Sequence, residues 1–424
     1  MCAGWHRKNP AETIFIEVFA LKLSKNARNA IYIGSLCSLS YLAVYVARNV
    51  LGTVTPQMIQ GAGYTTEYIG SISSLYFIFY AVGQLINGAI GDRIKAKYMI
   101  SFGLLLAGVT NLIFSRLPAD AAFAPAVYGM TGFFLSMIYG PMTKVVAENT
   151  EPNHATRCSL GYTFASFFGS PLAGILAAFM TWQSVFAVSS AILFVMAAAV
   201  FGFFFLFEKI GIVKYGQYQP ETTTRAGGIN VLIKHRIIRF TLISVLTGVV
   251  RTTVVFWLPT YISQYLGFSA EQSAMLFTTA TLVISATAFI AVFTYERLGR
   301  NMDRTIQLMF GLSVLLFFLV YLVKNPVFNL IFMVLAIMGA NGAASMLWSR
   351  YCPSLRDTGM VSSATGFLDF MSYGSASLSS TIFANAVAVI GWGNLILVWM
   401  GLMVIGFIVS LPVERLFRKK ATAH

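Results

Sequence analysis

Two arginines within long apolar segments are the side chains of this sequence best suited to chemistry. Arg48 lies past the middle of one apolar stretch, and Arg251 lies at the centre of another. A charge inside a bilayer costs about 2.5 to 3.5 kcal/mol on insertion scales, so each arginine predicts a function. A guanidinium presents a planar fork of donors that binds two phosphate or carboxylate oxygens together. The pair therefore predicts a binding site for a small anion.

The two arginines occupy matching positions in an internal repeat. Each is followed eight residues later by a proline, Pro56 or Pro259, and then by a glycine-containing turn. Matched positions in two repeated halves face each other across a pseudo-symmetry axis near the midplane of the membrane. Arg48 alone has the alternative of extending to the outer interface. The repeat favours the shared site.

Two more charged residues lie within apolar segments. Lys144 either adds a third positive charge to the site or is neutralised by Glu148, one helical turn later. Asp369 is an acid well inside a segment of the second half. It is either a proton carrier, since burial favours the protonated acid, or a fixed counter-ion to a basic residue.

Polar side chains share helix faces with these charges. Tyr41 and Tyr45 precede Arg48 at helical spacing, so they lie on the same face of its helix. Tyr80 and Gln84 repeat an i, i+4 arrangement on the second segment. Each of the four either lines the anion site with a polar group or packs within the bundle.

Signatures of enzymes and metal sites are missing from the sequence. It contains no HExxH, P-loop or GxGxxG motif. The four cysteines are scattered without metal-ligand or disulfide spacing. The four histidines lie in predicted tails or loops: His6, His154, His235 and His424. We predict no enzyme activity, no cofactor and no metal site.

The elements that must position the candidate residues are membrane-spanning helices. With 57% of its 424 residues hydrophobic, 10% charged and a mean hydropathy of +0.74, the sequence excludes a soluble globular protein. Six apolar stretches lie between residues 30 and 207 and six between 238 and 413, most of them long enough to span a bilayer. The sequence predicts an all-α membrane protein with twelve transmembrane helices in two pseudo-symmetric six-helix halves.

The distribution of basic residues predicts the orientation. Of the 29 lysines and arginines, only Arg116 and Lys324 lie in loops predicted to be outside, whereas the intervening loops and the tails are basic. We therefore expect a multi-pass protein of the cell inner (plasma) membrane with both termini cytoplasmic. Topology accounts for the net charge of +14, so nucleic acid is not an expected partner.

The predicted organisation has five parts. Residues 1–29 form a cytoplasmic N-terminal segment, without the cleavage site that would follow a signal peptide. The N-terminal six-helix half covers 30–207, and a central cytoplasmic loop covers 208–237. The C-terminal half covers 238–414, and 415–424 is a cytoplasmic tail.

Several motifs resemble those of the organophosphate:phosphate antiporters, which include the glycerol-3-phosphate and hexose-phosphate transporters of the major facilitator superfamily. The motifs are residues 41–49 with Pro56, the turn Gly91-Asp92-Arg93, and 364–367 leading to Tyr373-Gly374 and Gly391-Trp392. The resemblance implies a twelve-helix bundle in which Arg48 and Arg251 bind the substrate phosphate and Tyr41, Tyr45 and Tyr80 line the cavity. It also implies exchange of inorganic phosphate for an organic phosphate.

Three positions depart from that family pattern. Gln84 replaces a lysine, Ala165 replaces a histidine of the glycerol-3-phosphate carriers, and Asn49 replaces a basic residue. These changes remove positive charge from the cavity. They bring a carboxylate, a sulfonate or a less charged phosphoester into consideration as substrate.

The resulting hypothesis is a secondary active transporter of a small organic anion, with Asp92 and Arg93 closing the cytoplasmic side. An organophosphate exchanged for phosphate is the first candidate. The first alternative is a proton-coupled symporter of organic anions such as sugar acids, with Asp369 carrying the proton. The second is a transporter-like membrane sensor. We expect a monomer in the lipid bilayer.

Overall fold

The computed structural model describes residues 24–91, 94–119, 121–215, 229–355 and 361–411, and within these ranges every regular element is helical. The first half contains α1 (Lys25–Gly61), α2 (Thr66–Gly91), α3 (Ala96–Phe114), α4 in two pieces (Ala124–Leu135 and Tyr139–Asn149), α5 (Pro152–Phe179) and α6 (Trp182–Lys209). The second half contains α7 (Ile237–Gln264), α8 (Ala270–Arg297), α9 (Met302–Leu322), α10 (Pro326–Tyr351), α11 (361–390) and α12 (392–410). A short helix, Ile229–Lys234, precedes α7.

The prediction of twelve transmembrane helices in two halves is confirmed by this order of elements. Within the described ranges, nine continuous helices are long and apolar enough to span a bilayer. One of the nine contains both α11 and α12, which meet at Gly391. The others that complete the twelve are α4, which is interrupted at 136–138, and α5, whose apolar part is only Ala165–Phe179.

Local sequence accounts for several helix ends and bends. Helix α1 begins before the predicted apolar stretch because the Ser24 side chain accepts a hydrogen bond from the Ala27 amide and caps the helix. Gly391 has a φ of 73°, a left-handed conformation that glycine adopts without strain, and this permits the tight turn from α11 to α12. The boundaries of the five predicted parts remain predictions.

Small and hydroxyl-bearing residues join the two halves along the predicted outer part of the bundle. Between α2 and α11, Ser73 bonds to Ser380, and the Ser74 hydroxyl donates to the Ser377 carbonyl at 2.8 Å. Side chains this small let helix backbones approach closely in a membrane, where packing and hydrogen bonds replace the hydrophobic effect. Comparable contacts join α5 to α8 and α1 to α7.

The hydrogen bonds between the halves are confined to one part of the bundle. Among the described residues they run from the level of Arg48, which bonds to Tyr373, to the outer end, where Gln60 donates to Ser263 at 2.6 Å. No such bond joins the opposite ends of the described helices, where α1 begins and α12 ends. Within the described residues, hydrogen bonds thus join the halves only from the level of Arg48 toward the predicted outer side.

An ion-pair cluster fastens α3 to α6 at the predicted cytoplasmic end of these helices. Glu208 accepts hydrogen bonds from Lys95, at 2.6 Å, and from Lys97. The Lys97 side chain is 6% exposed, whereas that of Lys95 is 48% exposed. The bond to Glu208 raises the pKa of Lys95. Because Lys97 is buried, its positive charge has to be compensated within the protein. The Glu208 carboxylate provides this compensation and so stabilises the folded protein.

We expect the substitution Glu208→Gln to lower the stability of the protein, because it leaves the buried Lys97 ammonium without a counter-charge. Hydrogen bonds to charged groups contribute about 1.5 to 3 kcal/mol, so we expect a drop of a few degrees in melting temperature in detergent. Glu67→Gln, at an exposed glutamate of the outer end, is the matched control. Equal melting temperatures for both variants would contradict the assignment.

Candidate functional site

The Arg48 guanidinium lies within a group of tyrosines rather than at the outer interface. Its Nη1 atom donates a hydrogen bond to the Tyr373 hydroxyl at 2.7 Å. Its central carbon lies 5.4 Å from the ring centre of Tyr45, 5.3 Å from that of Tyr80 and 4.7 Å from that of Tyr373. These distances are in the range of cation–π attraction, which holds the charge at this level of the bundle.

Arg251 approaches the same tyrosine from the other half of the molecule. Its guanidinium carbon lies 6.0 Å from the Tyr373 ring centre and 5.8 Å from that of Trp348. Arg251 is on a π-helical turn of α7 (Val249–Val254), and Trp348 is on one of α10 (Leu347–Tyr351). Such turns shift side chains out of ordinary helical register and occur often at functional sites. The guanidinium carbons of both arginines thus lie within 6.0 Å of the centre of one ring.

The donors of Arg251 are available to a ligand. Its guanidinium makes no hydrogen bond and no ion pair to any other residue in the described part of the chain, and the residue is only partly buried. A partly buried guanidinium whose donors make no hydrogen bond is costly, and binding an anion offsets that cost. The arrangement can therefore bind an oxyanion between two forks of donors contributed by opposite halves.

Asp369 lies next to the arginine pair. It precedes Tyr373 by one turn of α11, and both Arg251 and Arg48 attract its carboxylate. Close packing of α7 on α11 produces this proximity, since the Ser244 hydroxyl donates to the Leu368 carbonyl at 2.7 Å. Asp369 forms no ion pair within 4.0 Å of a described basic residue. Its position fits both sequence hypotheses, the counter-ion and the proton carrier.

A second group of tyrosines continues from Arg48 into the first half. The ring centre of Tyr41 lies 4.9 Å from that of Tyr45, 5.5 Å from that of Tyr139 and 6.0 Å from that of Tyr162. These rings combine apolar faces with hydroxyl groups. They can hold the organic part of an anion whose charged end lies at Arg48.

The structure does not bring every predicted residue to the arginines. Gln84 is partly buried one turn beyond Tyr80, and Lys144 is partly buried on the second piece of α4. Neither occurs among the hydrogen bonds and ring contacts of Arg48 and Arg251. The predicted gate residues Asp92 and Arg93 lie outside the described residues. Within the described ranges, no cluster of His, Cys, Asp and Glu is suited to a metal ion.

Sequence reasoning missed the contributions of Tyr373, Trp348, Tyr139 and Tyr162. From the sequence, Tyr373 was identified only as part of a family motif. Its i, i+4 spacing from Asp369 would have placed both residues on one face of α11. Trp348 had no such signal, because the π-helical turn that directs it is not visible in the sequence.

Comparison with known proteins decides the family. The model of the Major Facilitator Superfamily matches residues 37–380. The chain belongs to this superfamily. It is therefore a multi-pass membrane protein of a superfamily of transporters rather than of enzymes.

Relatives of known name bear out the resemblance to organophosphate transporters. The glycerol-3-phosphate transporter of Bacillus subtilis is 23% identical over 276 residues, 59% of this chain and 60% of that protein. A probable hexose phosphate transport protein of Chlamydia trachomatis is 22% identical over 165 residues, 37% of this chain and 35% of that one. The membrane sensor protein UhpC of Salmonella typhimurium is 29% identical over 96 residues, 23% and 22% of the two chains. The matches thus span at most 60% of these relatives.

Solved structures share the fold of this member of the superfamily. A bacterial homologue of the human lysosomal transporter Spinster has a TM-score of 0.74 at 12% identity, covering 92% of this chain and 98% of that one. The D-xylose-proton symporter has a TM-score of 0.67 at 13% identity, covering 90% and 97%. At these identities the likeness establishes the fold alone.

We expect Tyr373→Phe to weaken anion binding about tenfold, because the ring remains near both arginines but the acceptor for Arg48 is lost. A net hydrogen bond of about 1 to 1.5 kcal/mol corresponds to that factor. The measurement is calorimetric titration of the purified protein with a phosphoester. Tyr64→Phe is the control, since the Tyr64 hydroxyl is buried without a hydrogen-bond partner among the described residues. Equal losses in both variants would refute a role for the Tyr373 hydroxyl.

Proposed function

We propose that this transporter exchanges a small organic phosphate for inorganic phosphate by alternating access. The observation that supports the proposal is the pair of guanidinium groups, one from each half, whose central carbons lie 4.7 Å and 6.0 Å from the ring centre of Tyr373. Two planar forks suit the tetrahedral oxygens of a phosphate group. The names of the relatives point to the same substrate class.

In this mechanism an anion enters from the predicted cytoplasmic side and binds Arg48 and Arg251 together. Its charge compensates the net positive charge of the cavity, so the halves come together around it. The serine contacts between α2 and α11 at the outer end then separate, and the anion leaves on the other side. The empty cavity, with its uncompensated charge, disfavours the return step. Because the return step therefore requires a bound anion, outward movement of one anion is coupled to inward movement of another.

Exchange in proteoliposomes tests the proposal. Vesicles are loaded with unlabelled phosphate, and entry of labelled phosphate is followed with and without competing phosphoesters. Entry that depends on internal phosphate and is reduced by a phosphoester supports the antiporter. Absence of exchange in vesicles that contain folded protein would overturn it.

Asp369 beside the arginines favours one second candidate, a proton-coupled symporter of organic anions such as sugar acids. In that case an imposed proton gradient drives uptake, and Asp369→Asn removes the dependence on the gradient. The sensor alternative predicts binding of the anion without accumulation. Inner-membrane location, cytoplasmic termini, the monomeric state and gating by Asp92 and Arg93 belong to the same proposal.

A further inference from the structure

We infer that Asp369 is a specificity residue that restricts the arginine pair to singly charged oxyanions. Phosphodiesters, protonated phosphate monoesters, sulfate esters and carboxylates belong to this class. The inference rests on the proposed function in one respect, that Arg48 and Arg251 bind the charged end of the substrate.

The position of Asp369 carries the inference. Tyr373 joins both guanidinium groups, through its hydroxyl to Arg48 and through its ring to Arg251. Asp369 is on the same face of α11, one turn away, and α7 packs against this part of α11. A Cβ atom on Gly248 would lie 2.7 Å from the Ser372 carbonyl oxygen, so the two helices are in close contact there. An anion between the arginines is therefore also near the carboxylate.

Groups from five helices, together with Cys352, interact electrostatically with Asp369, and they determine the charge around it. The charged and titratable groups that interact with it are Arg48 of α1, Tyr80 of α2, Tyr139 of α4, Arg251 of α7, Cys352 directly after α10, and Tyr373 of α11. Only the two arginines among these are cations at neutral pH. With Asp369 ionised, the net charge of the group is +1.

A site with a net charge of +1 binds monoanions and dianions with different affinities. A monoanion neutralises the site completely, whereas a dianion leaves an excess negative charge near an acidic side chain in a medium of low dielectric constant. Asp369 forms no ion pair within 4.0 Å with a described basic residue. Its negative charge therefore acts on the ligand. Without it, two arginines would neutralise a dianion.

The test uses two probes of one shape and different charge, phenyl phosphate and phenyl sulfate. At pH 8 the phosphate ester is a dianion, since its second pKa is near 6, and the sulfate ester is a monoanion. Binding is measured by calorimetric titration of the full-length protein in nanodiscs. We expect phenyl sulfate to bind at least tenfold more tightly than phenyl phosphate at pH 8. Asp369→Asn should remove this preference, whereas Asp369→Glu and the exposed control Glu67→Gln should retain it.

Equal affinities for the two probes in the wild-type protein, or a preference that persists in Asp369→Asn, would overturn the inference. If Asp369→Asn does not fold, the wild-type protein decides. Its affinity for phenyl phosphate must fall at least tenfold between pH 5.5 and pH 8, while its affinity for phenyl sulfate stays constant. Binding of neither probe would also overturn the inference.

The results that would contradict the proposed function differ from those that would contradict the role of Asp369. Loss of phosphate exchange in vesicles, with the charge preference intact, contradicts the antiporter and leaves the role of Asp369 standing. Phosphate exchange combined with equal binding of both probes contradicts only the role of Asp369.

Discussion

Replacement of Arg251 by lysine is expected to lower anion exchange at least a hundredfold while the protein still folds. Lysine keeps the positive charge but loses the planar fork, so it cannot bind two oxygens at once. The Arg251 guanidinium has no hydrogen bond to another described residue, which makes its donors free to bind the ligand. Losing one or two charge-assisted hydrogen bonds of about 1.5 to 3 kcal/mol each accounts for the loss.

Arg48→Lys tests the other half of the pair. This change also removes the hydrogen bond to Tyr373, so we expect a loss of similar size. Arg116→Lys, at an exposed arginine of a predicted outer loop, is the matched control and should exchange normally. Initial rates in proteoliposomes are compared after size-exclusion chromatography and melting curves have established folding. Normal exchange by either Arg48→Lys or Arg251→Lys would refute the anion site.

Gly70→Leu is expected to abolish transport by holding the outer end open. A Cβ atom at Gly70 would overlap the Cβ of Ala384 and lie 3.3 Å from the Ser380 carbonyl oxygen. Both contacts are with rigid parts of α11, so a leucine separates α2 from α11. The closed outer interface then costs more free energy than the open one, and the equilibrium moves toward the outward-open state.

Cysteine labelling measures this shift directly. Ser380 is fully buried in the interface, so Ser380→Cys in a cysteine-free background should react with a membrane-impermeant maleimide only when the outer end opens. We expect strong labelling when Gly70→Leu is added. Gly61→Leu is the control, because a Cβ at Gly61 meets no other atom within 4 Å. Equal labelling with Gly70→Leu and with Gly61→Leu would show that the α2–α11 contact does not control opening.

Membrane insertion, the helical architecture and the arginine pair were accessible from the sequence for a common reason. Apolar length, the matched positions of Arg48 and Arg251, and the grouping of Tyr41 and Tyr45 with Arg48 depend on spacing along one helix. Backbone geometry within a helix is nearly constant, so sequence separation converts directly into position on its surface. Location within the membrane follows from the cost of burying polar groups in lipid.

Contacts between helices could not be predicted in the same way. The placement of Tyr373 within 6.0 Å of both arginines, of Asp369 one turn from Tyr373 and of Trp348 against Arg251 depends on helix register and on two π-helical turns. Packing of small residues such as Gly70 and Gly248 sets that register, and it depends on the shapes of both partners at once.

The sequence by itself therefore determined that this is a membrane protein of twelve helices and predicted two positive charges within it. Only the tertiary structure decided that those charges share one tyrosine, that an acid interacts with them and that hydrogen bonds join the halves at the predicted outer end. The physical reason is the distance along the chain between the residues that determine each feature. Helix formation and membrane insertion depend on local composition and periodicity, whereas the charge and accessibility of the cavity depend on residues from separate helices brought together by packing.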